Sequence, residues 1–60
     1  MNVKYDAEAD VLIFSMRDAP PCEAISKPSG VIISYDENAE LVSIEFLNAS
    51  KQQLSSASSN

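Results

Sequence analysis

Short apolar runs separated by turn-forming residues give this chain the period of two that belongs to β-strands. Val3 and Tyr5 flank Lys4, and the run stops at Asp6-Ala7-Glu8-Ala9, which predicts a hairpin turn. Asp10 then opens Val11-Leu12-Ile13-Phe14-Ser15-Met16, where both alternating sets are apolar. Val11 and Ile13 fall on one face, and Leu12, Phe14 and Met16 on the other. Such a strand needs cover on two sides. Arg17-Asp18-Ala19-Pro20-Pro21 ends it, because neither proline can donate to a ladder. Cys22 to Lys27 carries a weak alternation around Ile25 and is expected to be a short edge strand.

Pro28-Ser29-Gly30 reads as a second turn, with the single glycine as the residue suited to a positive φ. Val31, Ile33 and Tyr35 then alternate with Ile32 and Ser34, Asp36-Glu37-Asn38-Ala39 interrupts, and Glu40 to Leu47 forms a last strand. In that strand Val42, Ile44 and Phe46 make one clean face. After Leu47 the period changes. Asn48 is a suitable N-cap, and Ala49 to Leu54 predicts one or two helical turns that bring Leu54 back towards the sheet. Ser55 to Asn60 is a low-complexity polar tail, expected to be disordered. The fold expected is mostly β with one helix (α+β): a small antiparallel β-meander of 4–5 strands and a short C-terminal helix, one domain over 1–54 with a tail at 55–60.

The two acidic hairpins repeat one another. Tyr5-Asp6-Ala7-Glu8-Ala9-Asp10-Val11 matches Tyr35-Asp36-Glu37-Asn38-Ala39-Glu40-Leu41 at a spacing of 30 residues. The reason is local: an aspartate at the head of a turn accepts from backbone N–H groups two residues on, and the tyrosine packs its ring with its hydroxyl in solvent. A hard-cation site is the competing reading. Neither loop has the dense alternating oxygens and glycine of a calcium loop, so no metal is expected.

Size and charge narrow what such a fold can do. Sixty residues make one small domain, and nine acids against four bases give a net charge of −5. Val, Ile, Leu and Phe together form a quarter of the chain, above the roughly 20% below which a charged sequence stays disordered. A core this small supplies only about 3–5 kcal/mol. One cysteine, Cys22, excludes an internal disulfide, and the lack of histidine excludes a Cys/His zinc site, so self-association or a partner is the remaining staple. The N-terminus lacks the charged region and apolar run of a secretory signal, which predicts a cytoplasmic protein. No apolar stretch approaches the ~20 residues that cross a bilayer. Lys4, Arg17, Lys27 and Lys51 are too scattered to neutralise a row of phosphates, so direct nucleic-acid binding is not expected.

Catalysis has few candidates. Cys22 is the one strong nucleophile by type, but it follows two prolines and precedes Glu23, whose charge disfavours a thiolate. A single glycine allows no phosphate-cradling loop, and no cofactor is expected. The expectation is a non-enzymatic binding protein. The surplus apolar face of the strand at 10–16 predicts a homodimer or higher oligomer.

Three segments carry a family likeness: Val-Lys-Tyr-Asp-Ala-Glu-Ala-Asp-Val-Leu at 3–12, Gly-Val-Ile-Ile-Ser-Tyr-Asp-Glu at 30–37, and Leu-Val-Ser-Ile-Glu-Phe-Leu-Asn-Ala-Ser at 41–50. Together they resemble the domain of unknown function family 2283, small bacterial proteins, over about residues 2–51. Ser43 departs from the family's usual glycine, and Phe14 occupies a position that varies. The resemblance implies a compact antiparallel sheet with a C-terminal helix and no catalytic residues. Some relatives are thought to be encoded beside a small, ribonuclease-type toxin-like protein, which implies an antitoxin role. On that reading Glu37, Glu40 and Glu45, with Lys51 and Leu54 of the C-terminal segment, contact a small basic toxin. The alternative is a stand-alone structural or regulatory homo-oligomer.

Overall fold

A computed structural model describes residues 1–52. Five strands form one antiparallel sheet: β1 (Asn2–Asp6), β2 (Val11–Ser15), β3 (Glu23–Lys27), β4 (Val31–Tyr35) and β5 (Leu41–Leu47). The strands fall where the period-two pattern predicts them. Their order does not follow the chain, because the sheet reads β1-β2-β5-β4-β3. The expected sequential meander is therefore corrected: a β1–β2 hairpin lies beside a β3–β4–β5 meander, joined by pairing of β2 with β5. Residues 16–22 cross one end of the sheet to make this possible. β2 ends at Ser15, the backbone amides of Met16 and Arg17 donate to the Val42 carbonyl at 2.7 and 3.3 Å, and Pro20 and Pro21, which cannot donate to a ladder, lie further along the crossing.

β5 is the central strand, and its register gives the sheet two unlike faces. Val3, Phe14, Ile44, Ile33 and Ile25 stand opposite one another in a row that crosses all five strands. Tyr5, Leu12, Phe46, Val31 and Lys27 form the next row on the same face. Phe14 and Phe46 meet edge to face, with ring centroids 5.8 Å apart and an interplanar angle of 76°. The reverse face carries Lys4, Ile13, Glu45, Ile32 and Ser26 across the same strands, so apolar and charged side chains mix there. A bulge at Val42, where Ser34 pairs Ser43 and Tyr35 pairs Leu41, bends the start of β5. Val42 is the one buried apolar residue among those described, at 5% exposure.

The C-terminal helix expected over Ala49–Leu54 is not formed as such. A single 3₁₀ turn at Ala49–Lys51 replaces it, and the described part of the fold is β with no α-helix. The cause is Asn48, which takes a left-handed conformation (φ 52, ψ 49) and makes no side-chain cap bond, whereas an N-cap needs extended backbone. Gln52 is already extended, and its amide nitrogen donates to the carbonyls of Leu47 at 2.8 Å and Ser29 at 3.1 Å. Leu54 and the tail at 55–60 lie outside the described residues.

Candidate binding surfaces

The repeated acidic hairpins are turn devices, as their spacing suggests. The Asp6 carboxylate accepts from the amides of Glu8 and Ala9 at 3.1 and 3.3 Å, and the Asp36 carboxylate accepts from those of Asn38 and Glu40 at 2.8 and 2.9 Å. The two loops are not identical. The left-handed residue is Asp10 (φ 58) in the first and Ala39 (φ 62) in the second, one position apart in the repeat.

Asp10 ties the C-terminal end of β5 to the first hairpin. Its carboxylate accepts from the Tyr5 hydroxyl at 2.6 Å, from the Ser50 hydroxyl at 2.8 Å and from the Ser50 amide at 3.1 Å, while its carbonyl accepts from Ala49 at 2.9 Å. The bond from Tyr5 and those from Ser50 hold the Asp10 carboxyl below its ordinary range. The same bond, with the nearby carboxylate charges, raises the Tyr5 phenol.

The opposite end of the sheet is acidic. Asp36, 8% exposed, and the exposed Glu40 both pair with the Arg17 guanidinium, Asp36 at 3.3 Å, which pins the crossing segment to the β4–β5 loop. The amides of Glu40 and Asn38, and then Arg17, keep the Asp36 carboxyl low despite its partial burial. Asp18 and Glu37 stand exposed at this end, with no ion pair among the described residues. An open cleft of about 410 Å³ lies under the crossing segment, lined by Arg17, Pro20, Pro21, Cys22, Asp36 and Asn38. Cys22 is exposed at its rim. No group of three or more Cys, Asp or Glu side chains is arranged to hold a metal among the described residues.

The five residues expected to bind a partner do not share one patch. Glu37 and Glu40 sit in the β4–β5 loop, Glu45 is half-buried mid-strand on the mixed face, and Lys51 is in the 3₁₀ turn at the far end of β5. Leu54 is outside the described residues. Two features escape the pattern of the sequence. Arg17 reaches Asp36 and Glu40 only because the chain crosses the sheet end, and the five-residue apolar row exists only because β5 enters between β2 and β4. Its outer members are the more exposed: Val3 is 52% and Ile25 43% exposed, with Tyr5 at 50% in the neighbouring row.

Comparison with known families matches residues 2–50 to the family described as "Protein of unknown function (DUF2283)". The chain belongs to this family. The match spans all five strands and ends inside the 3₁₀ turn, so the whole described sheet is the family's domain. Neither the curated proteins nor the solved structures contain a match to the chain. No helix among the described residues is long and apolar enough to cross a membrane.

Proposed function

We propose that this chain is a non-catalytic protein-binding module that works as an antitoxin, neutralising a small basic protein of the ribonuclease type by covering its active surface. The observation that carries this reading is the concentration of carboxylates at one end of the sheet. Asp18, Asp36, Glu37 and Glu40 gather there around the single side-chain cation of Arg17, in a chain of net charge −5. A nuclease site that binds a polyanion is itself basic, and an acidic protein surface competes for it by complementary charge. Charge of this kind speeds encounter and disfavours wrong partners. Glu37 and Asp18 offer free carboxylates for the contact, and the Arg17 pairs hold the loop that presents them. A protein of the cytoplasm is the setting in which such neutralisation is useful.

Capture of the tagged full chain from its native lysate at low salt tests this. The expected result is one small basic protein in stoichiometric amount, whose growth inhibition is relieved by co-expression of this chain. Raising salt to about 0.5 M, where the screening length falls to roughly 4 Å, weakens the complex. A partner whose binding is indifferent both to salt and to Glu37→Lys contradicts the charge mechanism. The second reading, a stand-alone structural or regulatory homo-oligomer, draws its support from the open apolar face of the sheet.

A further inference from the structure

The sheet is a single layer, and on the face that carries Phe14, Ile33 and Ile44 these side chains are no more than half-buried. Stable domains set at least two layers around an apolar interior, whereas here β1 and β3 are exposed throughout and β2 and β4 only half-buried. The chain itself has little left with which to build the second layer. The crossing segment and the 3₁₀ turn lie at the sheet ends, and the residues after Gln52 include one large apolar side chain, Leu54.

We propose that a second copy of this chain covers that face, closing two single sheets into a two-layer sandwich centred on Ile44. Three observations on different footings select a copy of the chain as the occupant. The first is charge: the only ionised side chains on the strands of this face are Glu23 and Lys27, of opposite sign on the edge strand β3, so the net −5 resides elsewhere and a copy is not repelled. A basic partner finds no complementary charge on this surface. The second is symmetry. Ile44 is the middle residue of β5, and β5 is the middle strand of five, so a two-fold axis in the plane between two such sheets brings Ile44 against its own copy and leaves the row from Val3 to Ile25 fully faced. The third is area. Five strands of about five residues give a footprint near 24 by 17 Å, so two facing copies cover roughly 800 Å² of flat sheet in total, and interdigitating side chains bring the buried surface towards the roughly 1,000 Å² at which specific interfaces begin. This pairing uses the apolar face alone and leaves the acidic end free for the partner proposed above.

Neighbouring residues on β3 separate this arrangement from any other. Ile25 and Ala24 are both exposed on an edge strand, and they point to opposite faces. The full chain at micromolar concentration is expected to show twice its 6.5 kDa mass by light scattering. Ile25→Lys is expected to weaken the dimer roughly tenfold or more, while Ala24→Lys leaves it unchanged. A folded wild-type monomer overturns the proposal, and so does a dimer that Ala24→Lys disrupts as much as Ile25→Lys does. Should Ile25→Lys fail to fold, isotope-filtered NOEs on a mixture of labelled and unlabelled wild-type chains give the answer. Contacts between copies from the Ile33 and Ile44 methyls are expected; contacts from Ile13 and Ile32 instead, or none, overturn it. Failure to capture a basic toxin has no bearing on these outcomes.

Discussion

The Asp36 carboxylate lies 3.3 Å from the Arg17 guanidinium, joining the segment that crosses the sheet end to the loop between β4 and β5. Asp36 also accepts the amides of Asn38 and Glu40, so one buried side chain closes a turn and anchors a connection whose ends lie three strands apart. Replacing it with alanine leaves two loop amides without their acceptor and Arg17 with Glu40 alone. Asp36→Ala is therefore expected to lower Tm more than Asp6→Ala does, since Asp6 serves only its own turn. Thermal unfolding followed by circular dichroism makes the comparison.

Acid should loosen both ends of the sheet. The carboxyls of Asp36 and Asp10 are held below their ordinary value of 3.8 in the folded chain. A lowered folded value means that their contribution is complete above the unfolded value and disappears as pH falls through the folded one, so stability is expected to be level above about pH 5 and to drop below about pH 4. Tyr5 works with the opposite sign. Its phenol is raised above 10.0, so its bond to Asp10 contributes below pH 10 and is lost as pH rises further. Tyr5→Phe removes that alkaline loss, and a urea-melt series across pH reads both arms.

Two turn residues have mirror-image expectations. Gly30 has φ +92, and a Cβ there would meet the Gln52 amide nitrogen at 3.3 Å and the Leu47 carbonyl at 3.4 Å, so Gly30→Ala should cost about 1 kcal/mol or more. Ala39 carries a Cβ at φ 62, and Ala39→Gly should gain about 0.5–1 kcal/mol by relieving the left-handed conformation. Equilibrium unfolding in urea gives both values.

Truncating the central apolar row separates a monomer's packing from a dimer's. Phe14→Ala and Ile44→Ala cost on the order of 2–5 kcal/mol when the site is fully buried. Both side chains are only half-buried within one chain, so a loss in the upper part of that range requires a second layer. A loss below about 1 kcal/mol in either variant places the stabilising contacts elsewhere.

What could be read from the residues was what is local. The Asp6 and Asp36 turns, the positive φ of Gly30 and the strand positions depend on neighbours within a few residues, and these were legible. The place of β5 was not, because period-two alternation says which side chains share a face and nothing about which strand lies alongside. Without that pairing, Leu12 and Phe14 could not be joined to Ile44 and Phe46, nor Val3 to Ile25 at the far edges of one row. The helix was misread for a related reason. Asn48 is as suited to a left-handed bend as to an N-cap, and the groups that select the bend, Asp10 and Ser29, are 38 and 19 residues away in the chain. The candidate site suffered most, since Glu37, Glu45 and Lys51 look adjacent along one strand and its loops but occupy its two ends and its middle.

A fold completed between two chains has a stability that depends on chain concentration. Urea unfolding of the full-length protein at two concentrations a hundredfold apart tests it most directly. Mass action predicts that the dimer gains about 2.7 kcal/mol at the higher concentration, raising the midpoint by roughly 1 M. A midpoint independent of concentration, in a sample whose mass is that of one chain, contradicts it.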